Sequence, residues 1–492
     1  MPVTPAGPAV PKKAIVISGG VMKRLTTDNR AQMLLNEPLN RVIPRLAVPT
    51  IIAMLITAVY NMADTYFVSR ISTEASGAVG VVFSAMSIIQ AIAFTIGMGS
   101  GTNLSQMLGA GRLDMAKTYV STGFFTAFFT GIVLMLLSTL NLDRLVRFLG
   151  ATDGIAPHAV DYARYIFFAA PFMMCSFVMN NLLRFQGMAF YAMVGIATGG
   201  ILNMVLDPLF IFGLGLKTAG AAIATALSQL VSFTILLVLS NTHKGLIPIR
   251  LRDFRPGLKT YGRIFYTGIP SLGRQGIASV ATILLNRAAR GVSADPSTVN
   301  AAIAAMSIVS RFTMFINSAV IGFGQGFQPV CGFCYGAGKY RRVRQAYLFC
   351  CKVATCILLV LAAVSFVFST QILRLFRAED AQVVAIGSRA LRLQLITLPL
   401  WGSYTITNMF TQSIGYGARA TLISSARQGI FLIPAVLSLP PLLGILGLQL
   451  SQPLADVLAF CLSILIVRGI LRSMRDMPDK PHPLDVSGVL SK

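Results

Sequence analysis

Three carboxylates lie inside stretches of the chain that are otherwise apolar: Asp64, Asp207 and Asp456. An ionised carboxylate inside a membrane costs on the order of a few kcal/mol, so it needs a proton, a cation or a fixed basic group as its partner. These three positions are therefore the first candidates for chemistry. That chemistry would be the reversible capture of a proton or a small cation, and the only metal ion expected is Na⁺ at Asp64 and Asp207.

Asp207 is accompanied by polar residues that would suit a cation. Asn203 lies four residues earlier, so its amide and the carboxylate share one face of a helix. Pro208 has no amide hydrogen and leaves the carbonyl of Met204 without its helical donor. Thr225 lies near the start of the next apolar stretch, at a comparable depth. Asn203, Asp207 and Thr225 are predicted to form one site for H⁺ or Na⁺, although Asn and Thr are also common contacts between membrane helices.

The depth of Asp64 places it at the level of that group. Asp64 and Asp207 each lie about 17 or 18 residues into stretches that run in the same direction, or about 26 Å at 1.5 Å per residue. Both carboxylates are therefore predicted in the same half of the membrane and are assigned to cation or proton coupling. The alternative is a structural role, in which the helix ends early and Asp64 caps that end, close to Thr65 and Ser69.

The C-terminal half carries a different set of polar residues inside its apolar stretches. It has one acid, Asp456, and several arginines, and a carboxylate beside arginines is more often a structural ion pair than a transport site. We predict an internal polar network formed by Arg274, Gln275, Arg427, Gln428, Gln452 and Asp456.

The elements that carry these residues are predicted to be transmembrane helices. Of the 492 residues, 55% are hydrophobic and 12% are charged, whereas soluble proteins have about 25% charged residues. The apolar stretches are continuous and long enough for spanning helices, unlike the alternating strands of a membrane barrel. The twelve predicted spans are 46–69, 78–102, 118–140, 161–183, 190–213, 218–240, 264–286, 300–327, 345–369, 386–412, 418–442 and 446–467.

The charge distribution predicts how the chain is oriented. The formal net charge is +24, with 41 Lys and Arg residues against 17 Asp and Glu. With both termini in the cytoplasm, the inner segments carry more than twice as many basic residues as the outer loops, as membrane topology requires. The excess of positive charge therefore needs no nucleic acid, and we expect an integral protein of a bacterial inner membrane that contacts the lipid bilayer.

The chain also repeats itself once. Gly97 to Gly101 recur as Gly322 to Gly326, and Pro49 and Pro171 recur as Pro270 and Pro399. Six spans per repeat give both halves the same orientation, which suits alternating access between two lobes. The predicted fold is an all-α polytopic membrane protein with twelve transmembrane helices in two pseudo-symmetric six-helix lobes. Its predicted parts are a cytoplasmic N-terminal tail (1–40), the N lobe (41–240), a basic cytoplasmic linker (241–263), the C lobe (264–472) and a cytoplasmic C-terminal tail (473–492).

Several stretches resemble the multidrug and toxic compound extrusion (MATE) family. In the first half they are YNMADTYFV at 60–68, LRFQG at 183–187, LNMVLDP at 202–208 and GAAIAT at 220–225. In the second half they are IPSLGRQG at 269–276, GFGQGFQP at 322–329, RQGIFLIP at 427–434 and QPLAD at 452–456. The second-half stretches are most similar to the bacterial multidrug-efflux branch of the family, to which the staphylococcal multidrug pump belongs.

The resemblance implies a secondary antiporter rather than an enzyme. Family members export organic, often cationic compounds in exchange for H⁺ or Na⁺, and use no other cofactor. Their N-lobe coupling residues fall on Asp64, Asn203, Asp207 and Thr225. The acid that some members carry on the seventh span is absent from 272–275, which favours coupling through the N lobe. We expect a drug or organic cation as substrate, no nucleic-acid partner and a functional monomer.

Three other classes of membrane protein remain as alternatives. A lipid or lipid-linked oligosaccharide flippase of related architecture would use a cationic cleft, for which the arginines of the C-terminal half leave room. A polytopic enzyme would need a His, Cys or paired-carboxylate set at one membrane face, and the predicted spans contain no histidine. A passive channel would conduct without dependence on an ion gradient.

Overall fold

The computed structural model describes residues 29–242, 246–290, 296–376 and 380–482, and these residues are almost entirely helical. We number the long helices in chain order: α1 Leu39–Ser69, α2 Thr73–Gly109, α3 Leu113–Thr139, α4 Ala156–Phe185, α5 Ala189–Gly213, α6 Lys217–Thr242, α7 Leu258–Arg290, α8 Pro296–Gly336, α9 Tyr340–Val367, α10 Ala381–Ser413, α11 Gly417–Leu443 and α12 Ile445–Asp476. Three short helices, Leu142–Phe148, Leu251–Asp253 and Ser369–Phe376, lie between them. Most long helices extend beyond the predicted spans, because an apolar stretch marks the membrane core and the helix continues past it.

Eleven of these helices in the described part of the chain are long and apolar enough to cross a membrane. The other long helix is α7, which has 33 residues. Arg274 and Gln275 lie near its centre and lower its apolar character. A polar pair at that depth is costly in lipid, so α7 is expected to turn this face towards protein or water.

The two sets of six helices pack in the same pattern. In the N lobe, α1–α6, helix α4 packs against α2, α3 and α6, and α1 packs against α5. In the C lobe, α7–α12, helix α10 packs against α8, α9 and α12, and α7 packs against α11. The lobes meet where α1 packs against α8, α7 against α2, and α2 against α8. The central position of α4 explains why Tyr162, Ile166 and Phe185 are fully buried.

Equivalent hydrogen bonds fix the register between the two lobes. The Asn180 side chain of α4 donates to the Ala192 carbonyl of α5 over 2.8 Å. The Asn408 side chain of α10 donates to the Ala420 carbonyl of α11, also over 2.8 Å. The number of residues between Asn180 and Asn408 equals the number between Ala192 and Ala420. Helices α5 and α11 therefore occupy equivalent places.

A close backbone approach fixes the register of α6 and α12 in the same way. A Cβ atom added to Gly220 would lie 2.7 Å from the Phe210 carbonyl oxygen, and one added to Gly447 would lie 2.1 Å from that of Leu439. Only glycine allows the backbones to approach this closely. Each glycine lies near the start of its helix and contacts the end of the preceding one, so Gly220 corresponds to Gly447 and α6 to α12.

Helices α5 and α11 both depart from α-helical geometry. Leu209–Gly213 of α5 and Ala426–Phe431 of α11 form π-helical turns. Pro208 precedes the first turn and Pro434 follows the second, and proline removes a donor from the helical hydrogen-bond ladder. Such π-helical turns are frequent at functional sites, and here they lie beside the two predicted polar clusters.

Hydrogen bonds between the lobes concentrate at one end of the molecule. Thr50 Oγ1 donates to the Gly322 carbonyl over 2.6 Å, and Ser105 Oγ donates to the Pro329 carbonyl over 3.1 Å. In the described residues, the bonds that join α1–α6 to α7–α12 lie towards the end where α1 begins and α12 ends. We call this the joined end. The predicted coupling carboxylates lie towards the opposite end.

The predicted tails and linker are only partly described. Of the predicted N-terminal tail, residues 1–28 lie outside the described residues, whereas 29–36 are helical. Leu34 of that helix is buried, and its carbonyl accepts a hydrogen bond from Arg342 Nε over 2.9 Å. Residues 243–245 of the linker and 483–492 of the C-terminal tail also lie outside the described part.

Candidate ion-coupling site

Helices α5 and α6 bring together three of the predicted coupling residues. Asn203 Nδ2 donates to Asp207 Oδ1 over 3.1 Å and to Thr225 Oγ1 over 3.2 Å. Asp207 is completely buried, and Asn203 is 3% exposed. The four-residue spacing on α5 produces the first bond, and the packing of α6 against α5 produces the second. The Asn203 amide therefore links the carboxylate to the threonine.

Asp64 of α1 belongs to the same site. Asp64 lies within electrostatic range of Asp207, which agrees with the matching depth of the two residues. Helix α1 continues to Ser69, so Asp64 does not cap its end. The packing of α1 against α5 brings the two acids together.

The two carboxylates lack basic partners in the described structure. No Lys, Arg or His of the described residues forms an ion pair with Asp64 or Asp207. Asp64 Oδ1 and Asp207 Oδ2 are buried, and neither has a hydrogen-bond partner among the described residues. Buried acceptors without a donor are costly. A proton or a cation bound there would satisfy both oxygens.

Two tyrosines complete the site and were missed by sequence reasoning. Tyr162 of α4 is fully buried, and its hydroxyl lies within electrostatic range of Asp64 and Asp207. Tyr60 lies one turn before Asp64 on α1 and is also within electrostatic range of both carboxylates. The four-residue spacing could have identified Tyr60. The sequence contains no comparable signal for Tyr162, because only the packing of α4 brings it there.

The C lobe holds a different arrangement around Asp456. Arg427 Nε donates to Asp456 Oδ1 over 2.6 Å, and Gln452 Nε2 donates to the same oxygen over 3.0 Å. Thr397 Oγ1 donates to Asp456 Oδ2 over 3.2 Å. The Arg427 guanidinium lies 3.8 Å from the centre of the Trp401 ring. A carboxylate with a fixed arginine and two further donors has little capacity for an exchangeable cation.

The structure brings three of the six predicted C-lobe network residues into direct contact: Arg427, Gln452 and Asp456. Arg274 lies nearby, because Tyr404 is within electrostatic range of both Arg274 and Arg427. Gln275 follows Arg274 on α7 and is half-buried, as is Gln428 in the π-helical turn of α11. Neither glutamine donates a hydrogen bond to Asp456 in the described structure. Thr397 and Trp401 join the network through α10, and sequence reasoning missed them.

Two equivalent helical lobes joined at one end, with buried polar sites inside each lobe, define a polytopic membrane transporter rather than an enzyme. The MatE family profile matches residues 49–209 and 299–437, more than half of the chain. The chain therefore belongs to the MATE family and is a multidrug efflux transporter.

Relatives and solved structures agree with this assignment. The Multidrug export protein MepA of Staphylococcus saprophyticus is 25% identical over 430 residues, which cover 86% of this chain and 92% of that protein. A structure described as the outward-facing conformation of a multidrug resistance MATE family transporter of the MOP superfamily matches with a TM-score of 0.83 and 27% identity. The match covers 91% of this chain and 98% of that one.

A further solved structure raises the question of charge in the binding pocket. It is the structure of a MOP superfamily transporter from Pyrococcus furiosus. The reverse polarity of that protein's binding pocket suggests a different function for it. It matches with a TM-score of 0.83 and 27% identity, over 91% of this chain and 98% of that one. These comparisons confirm the predicted family and the predicted fold of twelve transmembrane helices in two lobes.

Proposed function

We propose that this transporter is a secondary active antiporter that exports organic cations, such as drugs or toxic compounds, in exchange for H⁺ or Na⁺. The observation that carries the proposal is the pair Asp64 and Asp207. They lie within electrostatic range of each other, they lack basic partners in the described structure, and each has a buried oxygen without a donor. Two such carboxylates can bind either a proton or a cation, and the two forms of the site differ in charge.

The coupling follows from this change of charge. With the site ionised, its negative charge attracts a cationic substrate to a position between the lobes. Uptake of H⁺ or Na⁺ at Asp207 and Asp64 neutralises the site and weakens the binding of that substrate, which is then released. The lobes next open at the joined end, the ion leaves, and the ionised site is restored. An ion can drive this cycle only because it binds the two conformations with different affinity.

The orientation in the membrane is part of the same proposal. Basic residues concentrate in the segments at the joined end, for example Arg341, Arg342 and Arg344 at the start of α9. This distribution favours a cytoplasmic joined end and cytoplasmic termini in a bacterial inner membrane. The end opposite the joined end would then face the outside. A single chain contains both lobes, so we infer that the monomer is functional.

A flippase for anionic lipids is the second candidate function. It is favoured by Arg274, which has no carboxylate within ion-pair distance among the described residues, and by the description of the Pyrococcus furiosus transporter. The pairing of Arg427 with Asp456 weakens this candidate, because one of the C-lobe arginines is already neutralised.

The test is transport by the purified protein in liposomes, with pH and Na⁺ gradients imposed separately. The fluorescent cation ethidium represents a drug, and a fluorescent anionic phospholipid tests the flippase. We expect gradient-driven ethidium transport in the wild type and its loss in Asp207→Asn. Asp143→Asn is the matched control, because Asp143 lies on an exposed short helix. Ethidium transport at the wild-type rate by Asp207→Asn would overturn the proposal, and gradient-independent lipid movement would favour the flippase.

A further inference from the structure

A small cavity, whose wall contains both polar and apolar residues, lies beside the coupling site, towards the joined end. Its volume is about 20 Å³, enough for one water-sized guest. It opens between α1, α4, α5 and α6 and includes neither Asp64 nor Asp207 in its wall. The polar side chains in its wall are those of Thr57, Tyr60, Asn203, Thr225, Ser228, Gln229 and Ser232.

Three oxygens of the cavity wall are buried and have no hydrogen-bond partner in the described structure: Asn203 Oδ1, Ser228 Oγ and Ser232 Oγ. Each of these residues is at most 3% exposed. Ser228 and Ser232 follow Thr225 along one face of α6, at helical spacing. Because α6 runs towards the joined end, the hydroxyls form a row that leads from Asp207 in that direction. Buried polar groups without partners require an explanation, and a bound guest would supply one.

The C lobe shows what occupies the equivalent position there. In the registers that the equivalent hydrogen bonds and glycine contacts fix, Gly199 of α5 corresponds to Arg427 of α11, and Gln229 of α6 corresponds to Asp456 of α12. Gly199 and Gln229 both line the N-lobe cavity. The N lobe therefore has a cavity at the place where the C lobe has a guanidinium bound to a carboxylate.

This correspondence indicates the charge of the guest. In the C lobe the site is filled by a cation that is covalently part of the chain. In the N lobe, Gly199 contributes no side chain, and the neighbouring Asp207 would repel an anion. Neutral oxygens from Asn, Ser and Thr side chains suit a hard monovalent cation.

We propose that this cavity is a second binding site for Na⁺, which the ion occupies on its way between the carboxylates and the joined end. Asn203 connects the two positions, because its Nδ2 bonds to Asp207 and Thr225 while its Oδ1 lacks a partner in the described structure. The inference rests on the proposed antiport and deepens it by naming the ion and its route. The C lobe cannot carry an ion along the equivalent path, because Arg427 occupies it.

The test compares Na⁺ binding by the purified full-length protein and its variants. Unfolding temperatures are measured over a range of Na⁺ concentrations, with N-methyl-D-glucamine replacing Na⁺ at constant ionic strength. In Ser228→Ala and Ser232→Ala we expect the half-maximal Na⁺ concentration to rise at least tenfold. Ser176→Ala is the matched control, because that buried hydroxyl is already bonded to the Phe172 carbonyl, and its Na⁺ response should equal that of the wild type.

A glycine substitution tests the same cavity by filling it. A Cβ atom at Gly199 would lie 3.0 Å from Ser232 Cβ and 3.1 Å from the Ser228 carbonyl oxygen. We expect Gly199→Ala to weaken the Na⁺ response as the serine variants do. Gly80→Ala should leave it unchanged, because no heavy atom lies within 4 Å of the added carbon.

The possible outcomes separate this inference from the antiport. If the serine and Gly199 variants are stabilised equally in both salts and keep the wild-type Na⁺ response, the cavity holds only water and the inference is overturned. Absence of any Na⁺ response in the wild type overturns it as well, while proton-driven ethidium transport would still support the antiport. If Asp207→Asn loses gradient-driven ethidium transport, and Ser228→Ala and Ser232→Ala weaken the Na⁺ response, the results support both the antiport and the Na⁺ site.

Discussion

Arg184 of the N lobe donates through Nη1 to Gln325 Oε1 of the C lobe over 2.5 Å. Arg184 is 1% exposed, and its other partners, Asn181 Oδ1 at 2.5 Å and Met98 Sδ at 3.1 Å, are neutral as well. No carboxylate of the described residues pairs with it. A buried cation without a counter-ion depends on its hydrogen bonds, and one of these bonds is lost when the lobes separate at the joined end.

Arg184→Gln should therefore loosen the joined end. Glutamine is a compatible residue, because the equivalent position in the C lobe is Gln412. A hydrogen bond to a charged group contributes about 1.5–3 kcal/mol, so the unfolding temperature should fall and the buried thiols of α8, Cys331 and Cys334, should become more accessible. Mass spectrometry after alkylation measures this accessibility. Arg164→Gln, at an exposed position of the same helix, is the control, and equal alkylation in the two variants would contradict the prediction.

Part of the geometry of the N-lobe residues could be predicted from the sequence because it is local, whereas their role in ion coupling stays a prediction. The four-residue spacing of Asn203 and Asp207 became a hydrogen bond, and counting residues placed Asp64 at the level of Asp207. The sequence repeat also holds in three dimensions, in the equivalent bonds of Asn180 and Asn408. These features depend only on helical periodicity and on the length of a span.

The parts that the sequence could not predict depend on packing between helices. Tyr162 reaches the carboxylates only because α4 is surrounded by its neighbours, and nothing in its local sequence distinguishes it. Thr397 bonds to Asp456, and Trp401 contacts the Arg427 guanidinium that pairs with Asp456, so the network extends over three helices. The π-helical turn at Ala426–Phe431 is likewise invisible in the sequence, since Pro434 indicates a break in the ladder but not its geometry.

The two buried carboxylates should respond in opposite ways to amide substitution. Asp207→Asn removes a charge that has no basic partner in the described structure, so the unfolding temperature should stay the same or rise. Asp456→Asn leaves Arg427, whose side chain is 11% exposed, without its counter-ion, and breaking a buried ion pair in this way costs about 3–5 kcal/mol. Thermal unfolding of the two variants in the same detergent measures the difference. A larger loss of stability in Asp207→Asn than in Asp456→Asn would contradict the different roles assigned to the two acids.

The pairing energy of Arg427 and Asp456 can be measured with a double-mutant cycle. Arg427→Gln and Asp456→Asn should each destabilise the protein, whereas the double variant should be more stable than the sum of the single effects predicts. Contacting residues in one network show interaction energies of about 0.5–3 kcal/mol, and the stacking on Trp401 favours the upper part of that range. The same cycle on Asp143 and Arg147, an exposed pair, is the control and should show no coupling beyond error. Simple additivity at Arg427 and Asp456 would mean that the observed ion pair does not hold α11 to α12.

The joined end should also be sensitive to single methyl groups. A Cβ atom at Gly109 would lie 2.0 Å from the Phe333 carbonyl oxygen, and one at Gly336 would lie 2.0 Å from that of Gln106. Backbone atoms cannot move aside without moving their helices, so Gly109→Ala and Gly336→Ala should force α2 and α8 apart and lower the ethidium transport rate at least tenfold.

The control for these two variants is Gly262→Ala, where no heavy atom lies within 4 Å of the added carbon. Alanine there should be neutral or stabilise α7 by up to about 1 kcal/mol, because glycine is the poorer helix former. Transport rates in liposomes and alkylation of Cys331 and Cys334 together distinguish an opened joined end from general unfolding, since general unfolding would also expose Cys175 in the centre of the N lobe. If both glycine variants transport ethidium at the rate of Gly262→Ala, the close contact between α2 and α8 is not part of the transport cycle.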